Sequence, residues 1–199
     1  MSKASRPPRL HSLGEAYLYV RVTPCAVCAG PLDGDEARCE RDAAAGTLSL
    51  ETCCRRCEAP FERVFDASGV VEAEFTLLHE GRLAGPWQLD PPELNLTEDA
   101  SEVIDVAGWL AMFTWVNDEA RRAGEQARDA AGRSAARRMR LVAGACLEEA
   151  LKFFEEDNDL PPDEAFFGDE TRRQFWERPE LFTRQYITDL RFALLKGTT

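Results

Sequence analysis

Cys25-Ala26-Val27-Cys28 and Cys54-Arg55-Arg56-Cys57 are the two segments that decide how the first part of this chain folds. Each is a C-x-x-C turn, in which two sulfurs lie on the same side of a tight bend. Two such turns that face each other supply four sulfurs in the tetrahedral arrangement that Zn²⁺ accepts. The spacing therefore predicts a four-cysteine site for Zn²⁺ at Cys25, Cys28, Cys54 and Cys57, with the metal as a structural ion.

The adjacent cysteines leave an ambiguity of register, because Cys53 directly precedes the second pair. We choose Cys54 with Cys57 because this pair repeats the spacing of the first. Reduced core cysteines or a redox dithiol are the alternatives to a metal site. Cys39 and Cys53 are predicted to be small buried hydrophobic residues, although the sequence leaves open whether either joins the metal site.

Strand patterns lie between and after the two cysteine pairs. Residues 37–42 and 47–52 predict a hairpin, and Phe61, Val64 and Phe65 continue an extended segment after Cys57. In this order of elements, residues 25–66 resemble the zinc-ribbon class, which is spread across transcription, translation, DNA repair and many uncharacterised bacterial proteins. The resemblance implies a small antiparallel sheet held by zinc, and it implies no particular reaction.

The segments that flank the ribbon are less regular. Residues 1–11 are predicted to be a disordered tail, because Pro7 and Pro8 exclude regular structure. Ser12 and Glu15 have the spacing of a capping box, so a helix is expected from Ser12 to Leu18, with a strand as the alternative for its later half. Further strands within residues 12–84 are predicted from a group of apolar residues, namely Val70, Val71, Phe75, Leu77 and Leu78. Residues 85–98, with their prolines, are predicted to be a linker.

Residues 99–199 predict an all-helical domain of about four helices, which makes the fold class α+β. Asp99 and Glu102 resemble a capping pair, and eleven of the fourteen residues from Val103 to Val116 are apolar, as in a covered helix. A later helix has a core-facing stripe formed by Met139, Ala143, Cys146, Ala150 and Phe153. Two closing helices are expected, over residues 169–177 and 179–195, the second with a stripe of Phe182, Tyr186, Leu190 and Leu194.

One helix of this domain has a second resemblance. Ala150, Phe154 and Pro162 fall at offsets that are similar to those in the second helix of tetratricopeptide repeats, which implies a paired helical hairpin. No second copy of the pattern occurs at that period, so a single helical hairpin is the plainer interpretation.

Possible partner-binding residues follow the apolar helix. From Glu119 to Arg140 the chain has seven arginines against three acids, Glu119, Glu125 and Asp129. The segment is interpreted either as a solvated helix pair with a turn near Gly132 or as a docking stripe for an acidic partner or RNA. Tryptophans near the domain junction are candidate interface anchors or core residues. The residues proposed for partner binding are Arg121, Arg122, Arg128, Arg133, Arg137, Arg138, Trp87, Trp109 and Trp115.

Composition restricts the class of protein. The chain has 199 residues, a formal net charge of −12 and 44% hydrophobic residues, which predicts a globular, acidic protein that does not bind nucleic acid or anionic membranes through its overall charge. Seven cysteines, an odd number, fit reduced metal ligands better than a disulfide framework. With no apolar run long enough for a membrane span and no apolar segment behind the N-terminal charges, we expect a cytoplasmic protein.

Catalytic motifs are missing from the sequence. It has two histidines, His11 and His79, and it has no G-x-S-x-G, Walker-type or G-x-G-x-x-G segment. A four-cysteine zinc site is also coordinatively closed. We therefore expect a non-enzymatic zinc-ribbon adaptor of bacterial type that binds a protein partner. The alternatives are a nucleic-acid-associated regulator, which would use the arginine segment together with Arg55, Arg56 and Arg63, and a thiol redox sensor in which oxidation expels zinc.

Overall fold

The computed structural model describes residues 6–76, 78, 80–88, 94–95 and 97–196. Contacts divide these residues into two units. The N-terminal unit runs to Pro86 and includes residues 94–95 and 101–103, and the C-terminal unit contains residues 87–88, 97–100 and 104–196. A small antiparallel sheet lies in the first unit and a set of helices forms the second, so the α+β class predicted from the sequence is confirmed.

The sheet has three antiparallel strands in the order β1-β2-β3: β1 (Arg38–Asp42), β2 (Thr47–Cys53) and β3 (Pro60–Asp66). Leu48 of β2 lies opposite Phe65 of β3, and both are fully buried. Gly46 has a φ of +67° at the β1–β2 turn, in the left-handed region that glycine adopts without steric cost. The three predicted strands are thus present, and they carry the chain from the first cysteine pair to the second and beyond it.

Helix α1 (Leu13–Val22) begins as the capping pattern predicts. The Ser12 hydroxyl accepts a hydrogen bond from the Glu15 backbone N–H at 2.9 Å. The Glu15 carboxylate accepts from the backbone N–H of His11, at 2.7 Å. The alternative of a strand in the later half is wrong, because the helix continues to Val22 and ends only where Thr23 and Pro24 follow.

Residues 6–11 belong to the segment predicted to be a disordered tail, but the structure places them against β3. The Leu10 backbone N–H donates to the Asp66 carbonyl at 2.9 Å, and the Asp66 N–H donates to the Pro8 carbonyl at 3.0 Å. Leu10 is fully buried. The two prolines are compatible with this arrangement because an edge segment does not need their missing N–H groups.

The strands predicted around Val70 and Phe75 are wrong, since helix α2 (Glu72–Phe75) occupies this part of the chain. The carboxylate of Glu74 accepts a hydrogen bond from the Leu13 N–H at 2.7 Å, and Glu72 pairs with Arg41 at 2.7 Å. These contacts with α1 and β1 favour a helical turn over the strand preference of the apolar residues. Leu77 and His79 lie outside the described residues.

The first two helices of the C-terminal unit are α3 (Val106–Gln126) and α4 (Ala130–Leu151). The predicted start at Asp99 is wrong, because Asp105 caps α3 by accepting from the Gly108 N–H at 2.8 Å. The predicted turn near Gly132 lies a few residues earlier, at residues 127–129, because Asp129 caps α4 by accepting from the Gly132 N–H at 2.8 Å.

The remaining helices are α5 (Asp169–Glu177) and α6 (Arg184–Lys196). A single closing helix from residue 179 to 195 is wrong, since a 3-10 turn over Pro179–Phe182 precedes α6 and Thr183 between them is extended. The Arg184 N–H there donates to the Asp159 carbonyl at 2.8 Å instead of to a helix carbonyl. The described helices of this unit therefore number four, as predicted.

The core of the C-terminal unit is apolar and aromatic. Phe166 stacks on Phe175 with ring centroids 4.7 Å apart and meets Phe182 edge-on at 5.5 Å. The predicted α4 stripe faces inward in its central part, where Ala143 and Cys146 are fully buried. Of the last predicted stripe Phe182 is buried, whereas the fully buried residue of α6 is Ile187. Within the described ranges, none of the helices is long and apolar enough to traverse a bilayer.

Candidate metal centre

Two cysteine turns with the same backbone geometry form the candidate metal centre. In the first, the Cys25 N–H donates to the Gly30 carbonyl at 2.8 Å and the Ala29 N–H donates to the Cys25 carbonyl at 2.8 Å. In the second, Cys54 donates to Ala59 and Glu58 donates to Cys54, both at 2.9 Å. The same hydrogen bonds at the same offsets mean that the two C-x-x-C segments are closed turns of the same form.

Each turn requires a left-handed residue directly after its second cysteine. Ala29 has a φ of 53° and Glu58 a φ of 58°. Residues with a Cβ pay about 1–2 kcal/mol for this conformation relative to the right-handed region. Both turns therefore keep a strained residue, at a position that glycine would occupy without steric cost.

The four sulfurs converge on one point. The Sγ atoms of Cys25, Cys28, Cys54 and Cys57 all lie within 4.8 Å of one another. Two of the contacts join the turns, with Cys25 Sγ 3.7 Å from Cys57 Sγ and Cys28 Sγ 3.5 Å from Cys54 Sγ. A tetrahedron with Zn–S bonds of about 2.3 Å has S–S edges of about 3.8 Å, so the spacing fits four ligands of one ion.

The same distances exclude a disulfide between the turns, because a sulfur–sulfur bond is about 2.05 Å long. All seven cysteines are free thiols in this structure. The four sulfurs are therefore available as metal ligands, and the site offers four cysteine side chains to one ion.

Backbone N–H groups point at the sulfurs. Val27 N–H lies 3.4 Å from Cys25 Sγ, Gly30 N–H 3.4 Å from Cys28 Sγ and Arg56 N–H 3.3 Å from Cys54 Sγ. Such donors stabilise negative charge on sulfur, which a metal-bound thiolate carries. The sequence did not single out these donors, since any residue other than proline supplies the group.

The thiols of the second turn differ in acidity. Burial opposes ionisation of Cys54, but backbone N–H groups of Cys57 and Arg56 and the thiols of Cys28 and Cys57 outweigh it and lower the pKa of Cys54 to about 6. For Cys57, the backbone N–H of Ala59 favours the thiolate, yet hydrogen bonds with the other three cysteines, together with burial, raise its pKa to about 12. Four sulfurs this close cannot all be thiolates without a cation between them.

The other cysteines lie outside the cluster. Cys53 is partly exposed and not buried as predicted. It is paired with Pro60 in the sheet, so its register places it away from the four sulfurs and leaves Cys54 in the cluster. Burial raises the pKa of Cys39 to about 12 and also raises the pKa of Cys146. Both are buried as predicted, and neither belongs to the group of four clustered sulfurs.

The ribbon arginines that the nucleic-acid alternative requires are partly engaged within the ribbon. Arg55 forms ion pairs with Asp33 at 3.0 Å and with Asp35 at 2.5 Å. Arg56 donates to the carbonyl of Cys28 at 3.3 Å and so joins the two cysteine turns. Arg63 is exposed on β3, opposite Leu50. Two of the three arginines thus have structural contacts.

The arginines proposed for partner binding lie on α3, on α4 and in the link between them. Arg121 pairs with Glu125 at 3.1 Å, Arg122 with Glu119 at 2.9 Å, and Arg138 donates to the Trp87 carbonyl at 2.9 Å. The other three make no hydrogen bond or ion pair with any part of the chain that the structure describes, namely Arg128, Arg133 and Arg137.

The tryptophans divide into two environments. Trp109 is fully buried, so it is a core residue of α3 and not an interface anchor. Trp87 and Trp115 are half-buried and lie against each other, with ring centroids 5.9 Å apart. The sequence could not separate Trp109 from Trp115, since both lie in the apolar segment from Val103 to Val116. Of the two histidines, His11 lies within the described residues. It is buried beside Glu15, with its Nδ1 3.5 Å from the Glu15 carboxylate.

The chain was compared with models of protein families, with curated proteins and with solved structures, and none of the three comparisons finds a match. No family match therefore supports the tetratricopeptide resemblance. The four clustered cysteines and the three-stranded antiparallel sheet beside them are the features consistent with a zinc-ribbon-like segment.

Proposed function

We propose that this chain is a non-enzymatic adaptor in which Cys25, Cys28, Cys54 and Cys57 hold a structural zinc ion. The observation that carries the proposal is the group of four sulfurs within 4.8 Å of one another. An all-sulfur tetrahedral shell suits zinc or an iron–sulfur centre, and the N–H···S contacts and free thiols suit either. We choose zinc because the paired turns and the sheet are those of a ribbon.

Zinc would cross-link the two turns. Bound to one cysteine pair on each side, it would fix the loop before β1 to the end of β2 and would neutralise part of the thiolate charge. With four protein ligands it has no open position for water or substrate, which favours a structural role over a catalytic one. The working surface of the protein would then lie elsewhere on the chain, as in an adaptor that binds another protein.

A native purification tests this function. The full chain is isolated from its own cells at low salt under reducing conditions, and zinc, iron and co-purifying macromolecules are measured in the same sample. One zinc per chain together with a stoichiometric protein partner is the expected result. Zinc with bound nucleic acid would instead support the regulator, and a metal-free protein without a partner would overturn the proposal.

A further inference from the structure

The region from Glu119 to Arg140 reverses the charge of the molecule locally. It carries seven arginines and three acids, a surplus of four positive charges, in a chain whose formal net charge is −12. Helices α3 and α4 fold back on each other through residues 127–129, so arginines that are distant in sequence share one end of the helix pair. The surplus is therefore concentrated in space as well as in sequence.

A groove runs between the two helices at this end. Its volume is about 650 Å³, and it is lined by Arg121 and Glu125 from α3 and by Arg133, Arg137 and Arg140 from α4. Its remaining lining residues are small, Gly124 and Ala136. A Cβ atom built on Gly124 would lie 3.8 Å from that of Ala136, so the two helices approach closely there and bulky side chains do not fill the groove.

Two of the lining arginines are available to a ligand. Arg133 and Arg137 are exposed and are one helical turn apart, and neither bonds to or pairs with any described residue of the chain. Arg121 is already partly neutralised by Glu125 and by Asp118, which lies 3.8 Å away. Nearby carboxylates thus satisfy the α3 side, whereas Arg133 and Arg137 on the α4 side keep uncompensated charge.

We propose that this arginine groove binds a short acidic segment of a partner protein, an inference that rests on the proposed adaptor function. Guanidinium groups match carboxylates in bidentate hydrogen bonds, and these are stronger than neutral ones. Arg133 and Arg137 are separated by about 6 Å along α4, which suits two successive carboxylates. Binding is expected to weaken as salt concentration rises.

The residues that line the groove also favour an acidic peptide over nucleic acid as the ligand. Proteins that hold single-stranded nucleic acid combine a positive groove with aromatic side chains on which bases stack. The residues that line this groove include no aromatic side chain. A long polyanion would also extend beyond the groove onto a molecule of net charge −12, which repels it, whereas a segment of a few acidic residues would remain within the arginine surface.

The test uses the full zinc-loaded chain and a fluorescently labelled hexaglutamate peptide as the probe, with binding measured by anisotropy at low and at physiological salt. The groove variant is Arg133→Gln/Arg137→Gln. The matched control is Arg173→Gln/Arg178→Gln, which removes the same charge from exposed arginines at and just after α5. Because all four side chains are exposed, both variants are expected to fold, and far-ultraviolet circular dichroism verifies this.

We expect the groove variant to lose at least about tenfold in affinity for hexaglutamate, because it removes the two arginines whose charge no carboxylate of the described chain compensates. The control variant should stay within about twofold of the natural chain. Equal losses in the two variants would show that only net charge matters and would overturn the groove.

A single-stranded RNA twelve-mer is measured in parallel. RNA binding that is tighter than hexaglutamate binding and is lost in the groove variant would overturn the acidic-segment ligand in favour of nucleic acid. No binding of hexaglutamate by a chain that retains one zinc would overturn the inference alone. The adaptor function itself would fail separately, if the native purification yields a metal-free chain without a protein partner.

Discussion

The ribbon, residues 25–66, and the helical unit, residues 104–196, differ in how much apolar surface they bury. In the ribbon, fully buried large side chains are few among the strands, chiefly Leu48, Leu50 and Phe65. The helical unit buries Trp109, Phe166 and Ile187 along with the small residues of α4. A region that cannot bury enough apolar surface needs a cross-link to be stable. In the ribbon, a metal ion bound by the four clustered sulfurs would be that cross-link.

The two regions are expected to differ in how many positions determine their stability. Metal binding to four cysteines contributes about 10–16 kcal/mol in small zinc domains, and this free energy is largely folding free energy. A buried large apolar side chain contributes about 1.5–3 kcal/mol. The ribbon should therefore depend on four atoms, whereas the stability of the helical unit should be distributed over many contacts.

The largest expected effect comes from Cys57→Ser. We expect loss of the metal and unfolding of residues 25–66, because three sulfurs and a hydroxyl no longer close the shell, while the helices of the C-terminal unit remain formed. Elemental analysis measures the metal, and amide hydrogen exchange distinguishes the two regions. Cys53→Ser is the matched control, since Cys53 lies beside the cluster but outside it. Full metal retention in Cys57→Ser would show that the wrong sulfurs are assigned.

Phe166→Ala tests how much the helical unit depends on one buried side chain. Removing a fully buried ring that contacts Phe175 and Phe182 should lower the free energy of unfolding of the helical unit by about 3–5 kcal/mol, through lost burial and the cavity left behind. Metal content should not change. Denaturant unfolding followed by circular dichroism measures the effect.

The neighbouring Phe167 provides the control for that change. Its side chain is 48% exposed, so Phe167→Ala should cost much less than Phe166→Ala. Metal loss in the Phe166→Ala variant would contradict the independent stabilisation of the two regions.

The smallest expected effect is an increase in the stability of the ribbon. Ala29→Gly removes the steric cost of a left-handed residue in the first cysteine turn and should stabilise the ribbon by about 1 kcal/mol, partly offset by the greater freedom of glycine in the unfolded chain. Competition with a chromophoric chelator would show it as tighter metal retention. Ala26→Gly, in the same turn but without a positive φ, should weaken retention slightly, and an equal gain in both variants would disprove the steric explanation.

Local sequence patterns predicted the structure correctly where interactions between neighbouring residues determine it. The two C-x-x-C segments indicated which sulfurs converge, and the alternation of β2 indicated a strand, because turn geometry and side-chain period act over a few residues. The same holds for α5, whose bounds were predicted correctly.

Local patterns failed where a distant group competes. The apolar residues around Val70 suggested strands, but Glu72 and Glu74 are held by Arg41 and by the end of α1, and the segment becomes α2. Asp99 was a plausible cap for α3, but Asp105 also accepts a hydrogen bond from Phe167 N–H at 3.0 Å, a contact that links 62 residues along the chain. A pattern read over a few neighbouring residues cannot include a partner that lies 62 residues away.

By itself, the sequence of this protein determined an α+β chain with one four-cysteine cluster, because ligand type and spacing are local properties. Only the tertiary structure decided that Cys39 and Cys53 lie outside the cluster, that Trp109 is core, and that Arg133 and Arg137, beside a groove, pair with no described residue. Burial and charge compensation depend on which residues from elsewhere in the chain arrive next to a side chain, and folding alone determines that.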